Sequence, residues 1–357
     1  MTATTRTLGR SGLEVSALGM GCWAIGGPFW AGDQPCGWGE VDDDESVATI
    51  RRAVELGVTL FDTSDAYGTG HSETILGRAL AGRWDEVVIA TKWGNTIDPA
   101  TRQLTGTDPS PAYLRRALEG SLQRLGTDHI DLYQLHLNDL PIPVAQELLG
   151  TLEELVGEGK LRWYGWSTDH ADRAAAWGGA DREVPGSSES RKGTGNQGEA
   201  GPHCTAVQHA FNVLHDAAEV LAACEAHGLA SLNRSPLAMG LLTGKFTASS
   251  TLGPDDVRGI APDWLQYFRG GRPVPLWLDR VAAVREVLRS GGRTLAQGSL
   301  AWIWARSEAT IPIPGCRTVA QVEENAGALA HGPLAPAELA EVERLLADLR
   351  AEPVAAM

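Results

Sequence analysis

The feature that most restricts the fold of this chain is a rhythm. Short β-rich apolar runs recur along it, mostly alternating with amphipathic stretches rich in Ala, Leu, Glu and Arg. The runs fall near "SALGMG", "TLFDTS", "EVVIATK", "IDLYQLH", "RWYGWS", "TAVQHAF", "LASLNRS" and "ATIPIPG". Helices are expected over Asp43 to Leu56, Ser72 to Leu80, Pro111 to Leu125, Val144 to Glu158, a stretch after His170, Ala217 to His227 and Leu278 to Ala305, with Val319 to Leu329 after the last run. Alternation of this kind builds parallel βα units, and eight such runs indicate a closed TIM barrel. A length of 357 residues suits one large α/β barrel or two ordinary domains. The count of strands selects a single (β/α)8 barrel domain over 1–357, entered through a small N-terminal β-hairpin at "RTLGRSGLEVSAL".

Two segments interrupt the rhythm. Gly186 to His203 is polar and Gly/Ser-rich and is expected to be a mobile insertion before the sixth strand. Inside it "GTGNQG" places Gly193, Gly195 and Gly198 in a formal GxGxxG pattern. A dinucleotide fingerprint needs a strand before it and a helix after it, and neither is present, so the pattern is read as coincidence. The second segment, "FTASSTLGPDDVRGIAPDWLQYFRGGRPVPL", follows the seventh strand and is long enough to cover an active site.

A net charge of −15 argues against a nucleic-acid surface or an anionic membrane patch, since both need clustered Lys and Arg. Any phosphate site must therefore be local. The five cysteines lack disulfide or metal spacing, no metal is expected, and no stretch resembles a signal peptide or a membrane span, which together suggest a cytoplasmic protein.

In such barrels the working residues stand at the C-terminal ends of strands. Here those ends carry Asp62 and Tyr67 after the second strand, Lys92 after the third and His136 after the fourth. Ionisable groups at one rim cost desolvation free energy unless paired, so stability alone does not call for them. As chemistry they form a set. A lysine beside a tyrosine favours the phenolate and lowers its pKa from about 10, and an aspartate holds that lysine charged. A histidine alongside can orient a carbonyl oxygen or share the proton. Tyr67 alone would be read equally well as a turn aromatic; the set decides otherwise. Asp65 is read as a turn-forming or capping carboxylate, and Glu73 as a first-turn residue complementing a helix dipole.

"GVTLFDTSDAYG", "VVIATKWG", "IDLYQLH", "SPLAMGLLTGK" and "IPIPGCRTVAQVEENAGAL" resemble, in order and across nearly the whole chain, the aldo-keto reductases. The resemblance implies a barrel that binds NADPH in an extended pose without a Rossmann fold. It implies a catalytic tetrad of Asp62, Tyr67, Lys92 and His136, with Tyr67 as general acid/base and hydride delivered from the nicotinamide C4. It also implies cofactor contacts from Gly21 and Trp23, and from Ser167 and Thr168, where relatives commonly have Ser-Asn; a threonine lacks the donor and acceptor pair of an amide. Gln208 matches the partner of the carboxamide, and Phe211 stands where a tyrosine usually stacks on the nicotinamide. Ser235, Pro236 and Leu237 would follow the pyrophosphate, with Lys245 and Arg258 supplying charge; Arg234 is either a pocket or cofactor contact or a surface ion pair. Gly315, Arg317, Gln321, Glu324 and Asn325 would take the adenosine end, and Arg317 suits a 2′-phosphate. Gln321, Glu324 and Asn325 also share one helix face by spacing.

Trp23, Trp30 and Trp38 crowd the loop after the first strand, Trp93 follows Lys92, and Trp264 lies in the long loop after the seventh strand. Barrel geometry gathers these loops at one mouth, so Trp23, Trp30, Trp93 and Trp264 are expected to wall a pocket for an aromatic aldehyde, a polycyclic ketone or a sugar ring. Trp302 and Trp304 sit in a helix and are read as outer packing. Three functions follow: reduction of a small-molecule carbonyl, a cofactor-retaining redox sensor resembling the potassium-channel beta subunits, and a lyase using Lys92 as a Schiff base. The last leaves the phosphate and adenosine motifs unexplained.

Overall fold

The computed structural model describes residues 5–179, 201–260 and 262–350. The formal GxGxxG of Gly193, Gly195 and Gly198, and most of the expected insertion, lie outside the described residues. Eight parallel strands form one sheet: β1 (Gly19–Gly21), β2 (Leu60–Asp62), β3 (Val88–Trp93), β4 (Ile130–Leu135), β5 (Leu161–Ser167), β6 (Cys204–Ala210), β7 (Ala230–Arg234) and β8 (Thr310–Pro312), the labels counting barrel strands only. Each pairs with the next in sequence, and a parallel bridge between Gly21 and Gly315 joins the last to the first. That closure needs glycine: a Cβ on Gly21 would lie 2.7 Å from the Ile313 carbonyl oxygen. The hairpin Thr5–Thr7 with Glu14–Ser16 precedes the barrel, and its Leu8 and Val15 pack with the apolar residues inside it, closing the end opposite the site.

Helix ends follow local chemistry. Asp42 caps the helix Asp43–Glu55, and Ser110 followed by Pro111 starts Pro111–Leu125, which ends on left-handed Gly126. Two expected helices divide. Val144 to Glu158 is split into Ile142–Gln146 and Leu149–Gly157, and Leu278 to Ala305 into Pro275–Leu288 and Leu295–Arg306. In the second case Gly291 and Gly292 take positive φ between the helices, and Thr294 with Gln297 restarts the chain as a capping box.

Side chains alternate across each strand, and that parity sorts the core. Leu60, Ala90, Leu132, Ala206 and Leu232 point inward and fill the barrel. Two residues further on, the same parity presents Asp62, Lys92, Gln134 and Gln208 above that apolar layer. The opposite parity sends Phe61, Trp93, Tyr133, Trp166 and Val207 into the larger core between strands and helices. Trp302 and Trp304 are buried in that layer too, as expected of them.

Two long loops meet over the open end. The loop after β1 pairs Trp30 with Pro35 and with Gln103 of the loop after β3. It also touches the loop after β7, through a Trp38–Asp256 bridge and a Val257 N–H bond of 2.9 Å to the Gly37 carbonyl. All five cysteines are free thiols, and no helix among the described residues is long and apolar enough to cross a membrane.

Candidate active site

At the C-terminal end of the barrel a cavity of about 1230 Å³ runs from Tyr67 and His136 to Arg317 and Gln321. Lys92 is fully buried, with Nζ donating to Asp62 Oδ1 at 2.6 Å, to the Thr63 carbonyl at 2.7 Å and to Tyr67 Oη at 3.3 Å. The other Asp62 oxygen accepts from the Gln208 and Gln134 amides at 2.7 and 3.2 Å. Both oxygens of this buried carboxylate thus have donors, which offsets its desolvation. Burial opposes the Lys92 charge, but Asp62 and then Tyr67 outweigh it and raise its pKa above the ordinary lysine value. An ammonium held charged in this way is a poor nucleophile, which disfavours a Schiff base on Lys92.

The structure corrects one electrostatic expectation. Burial raises the Tyr67 phenol above its ordinary pKa; Lys92 pulls it down and Asp62 pushes it up, and burial prevails. Tyr67 therefore holds its proton at neutral pH. Burial, then the charges of Lys92 and Arg234, push the His136 imidazole down to about 3, so it is neutral. Its ring meets Tyr67 edge-on at 5.9 Å, and Trp23 stacks on Tyr67 at 6.0 Å. The turn that presents Tyr67 depends on Gly68, at φ +60°, where a Cβ would lie 1.8 Å from the Gly26 carbonyl oxygen.

The far end of the cavity suits phosphates. Ser235, Ala238 and Met239 all take positive φ, a strained run for residues with side chains. Beside it stand Lys245, Arg258 and Arg317. Burial, then Arg258 and Arg317, depress the Lys245 ammonium while Asp256 opposes them, so three cations converge at this end in a chain whose net charge is −15. Arg258 is paired with Asp256 at 2.9 Å and lies over the Trp38 ring. Arg317 donates to the Trp38 carbonyl at 2.9 Å and to the Glu40 carbonyl, and its own N–H is held by Gln321 at 2.8 Å. Gly21, Ser167, Pro236, Leu237, Gly315, Glu324 and Asn325 also line this cavity. Arg234 lines it while pairing with Asp169.

Four expected contacts are displaced. Trp93 is fully buried against Tyr133 at 6.2 Å, because it follows Lys92 by one residue and so faces the helices. Trp30 is spent in the small sheet of the mouth loops and is not in the cavity wall, where Phe29 stands instead. Phe211, by the same parity, packs outward on Trp302 at 5.2 Å and presents no face to the cavity. Thr168 is buried and donates its hydroxyl to the Asn138 carbonyl at 2.9 Å. Trp23 and the exposed Trp264 do wall the mouth, 6.4 Å apart, with Trp38 edge-on to Trp23 at 5.1 Å.

Sequence reasoning missed Gln134, whose position two residues beyond inward-facing Leu132 would have found it. It also missed Asp169, whose Oδ1 accepts the Ala210 N–H at 2.8 Å, fixing the end of β6. Glu73 does lie in a first helical turn, but it is fully buried, accepting from Thr91 Oγ1 at 2.6 Å and pairing with Arg124 at 2.7 Å.

The sequence pattern of the Aldo/keto reductase family matches residues 17–347. Aldo-keto reductase YhdN of Bacillus subtilis is 31% identical over 318 residues, covering 88% of this chain and 85% of its own length. The aldo-keto reductase yakc of Schizosaccharomyces pombe, whose name carries NADP(+), is 30% identical over 336 residues, covering 92% and 87%. Among solved structures, the glycerol dehydrogenase of Gluconobacter oxydans superposes with a TM-score of 0.74 at 26% identity, over 100% of this chain and 99% of that one. An aldo-keto reductase of Bacillus halodurans in its holo form gives 0.71 at 26% identity, over 96% of each chain. The barrel and its rim of charged residues define a (β/α)8 oxidoreductase. The chain belongs to the aldo/keto reductase family, enzymes acting on carbonyl groups.

Proposed function

We propose that the chain works as a single barrel domain that reduces an aldehyde or ketone to the alcohol, reversibly, with NADPH as cofactor. One observation carries the proposal: Tyr67, backed by the buried Lys92–Asp62 pair, and neutral His136 stand at one end of a cavity whose other end gathers Lys245, Arg258 and Arg317. NADPH, when bound, supplies the hydride. Gly21, Trp23, Ser167 and Gln208 would border the nicotinamide, Ser235 to Leu237 with Lys245 and Arg258 the pyrophosphate, and Arg317, Gln321, Glu324 and Asn325 the adenosine end. An aldo-keto reductase of Klebsiella pneumoniae solved in complex with NADPH, and the Schizosaccharomyces pombe relative whose name carries NADP(+), support that choice.

The residues then divide the work. Tyr67 keeps its proton until negative charge develops on the carbonyl oxygen and donates it there. Lys92, held charged by Asp62, stabilises the phenolate left behind. His136, neutral, offers a hydrogen bond to the same oxygen and orients the carbonyl. Trp23, Trp38 and Trp264 supply apolar walls that exclude water.

Purified protein mixed with NADPH and a panel of aldehydes and ketones tests this through loss of the reduced-nicotinamide absorbance. Tyr67→Phe should lower kcat by about 10²- to 10⁴-fold. Wild-type turnover in that variant would overturn the acid/base role, and cofactor binding without turnover on any carbonyl would favour a redox-sensing module.

A further inference from the structure

Ser64 lies between two groups that compete for its single proton. Its Oγ accepts the Ala66 N–H at 3.1 Å, and lies 3.2 Å from Asp65 Oδ1 and 3.2 Å from His136 Nδ1. If the serine donates to Asp65, the histidine must carry its proton on Nδ1 and its other nitrogen is a bare acceptor. If it donates to His136, the proton of the neutral ring sits on Nε2, which no protein group bonds among the described residues, and Asp65 must itself donate.

Charge counting decides between these. Asp65 and Glu73 are both buried in one cluster, exposed 1% and 0%, and the cation there, Arg124, is paired with Glu73 through Nε at 2.7 Å. Among the described residues Asp65 has no ion pair. A second ionised carboxylate in that cluster would have to share the charge of Arg124 with Glu73, which is costly for two buried groups, whereas a protonated Asp65 is a neutral donor. Consistently, burial and then the charge of Glu73 drive its carboxyl well above the ordinary range.

We propose that Ser64 and Asp65 are positioning residues: protonated Asp65 donates to Ser64 Oγ, Ser64 donates to His136 Nδ1, and the imidazole is fixed as the Nε2–H tautomer able to donate to a carbonyl oxygen. The inference rests on the proposed role of His136 for its catalytic meaning, though the tautomer itself is a property of the protein without substrate. No net proton moves along the chain of bonds. It selects which of two neutral rings exists, the kind of control that a hydrogen bond at one nitrogen exerts over the other.

Histidine-selective nitrogen-15 NMR of the full chain at neutral pH tests this, with His136→Gln to assign the resonance. The wild-type ring should show the Nε2–H pattern, and so should Asp65→Asn, whose amide still donates to Ser64. Ser64→Ala should lose that pattern and lower kcat about tenfold, the loss of one neutral hydrogen bond, with a smaller change in KM; Ser64→Thr, which keeps the hydroxyl, should restore both. An Nδ1–H ring in the wild type, or an unchanged ring in Ser64→Ala, would overturn the proposal. Failure of Tyr67→Phe to lose activity counts against the proposed reaction, whereas the ring spectrum decides the tautomer independently of turnover.

Discussion

Lys92 Nζ and Asp62 Oδ1 form an ion pair of 2.6 Å whose two side chains are exposed 0% and 4%. Neither charge reaches solvent, so each is stable only because of the other and of the amides around it. This mutual dependence couples stability to the chemistry of the site.

Lys92→Met should therefore lose on both counts. It leaves Asp62 buried with two amide donors and no cation, expected to cost about 3–5 kcal/mol, read as a lower urea midpoint. The same variant should lower kcat at least as severely as Tyr67→Phe, since the phenolate loses its neighbouring charge.

Acid should weaken the fold partly through His136. Its folded pKa is about 3, below the unfolded value of about 6.5, so between those values the unfolded chain binds more protons. Stability from this group is full above about pH 6.5 and is lost progressively toward pH 3. Asp65, raised, pulls the opposite way by favouring the folded state as pH falls toward its unfolded value. The difference in urea midpoint between wild type and His136→Gln, measured at pH near 7 and near 5, isolates the histidine. The wild type should lose more than the variant on acidification.

Gly68→Ala should cost more than the roughly 1–2 kcal/mol usual for a side chain forced into the left-handed region, because its Cβ meets the Gly26 carbonyl oxygen at 1.8 Å. The backbone must shift beside Tyr67. Reduced kcat together with a lowered thermal midpoint is expected, and an unchanged kcat would show that the turn does not set the phenol.

Arg317→Ala should weaken NADPH binding about ten- to hundredfold, the worth of charge-assisted hydrogen bonds to a 2′-phosphate, and NADH binding far less. Lys245→Met should weaken both cofactors alike, since the pyrophosphate is common to them. Fluorescence titration of each protein with each cofactor gives the comparison. Equal losses for NADPH and NADH in Arg317→Ala would remove the arginine from the 2′-phosphate.

Strand count, the order of the βα units and the rim positions of Asp62, Lys92 and His136 were all legible, because apolar periodicity and strand-end position are local properties. So was the alternation of side chains, which was not applied to Trp93 and Phe211: each follows an inward-facing residue by one and must face the helices. Asp65 was legible as a turn carboxylate but not as a buried one. Its environment is made by Glu73 and Arg124, which belong to other helices.

What the sequence by itself determined is thus the barrel and the identity of the groups at its mouth, since short-range patterning of apolar residues specifies both. Only the tertiary structure decided their states. Whether Tyr67 keeps its proton, whether His136 is neutral and what Arg317 can reach depend on burial and on contacts between distant segments, such as the bond from Arg317 to the Trp38 carbonyl across 279 residues. Desolvation and Coulomb interactions are sums over everything folded around a group, and no local pattern carries that sum.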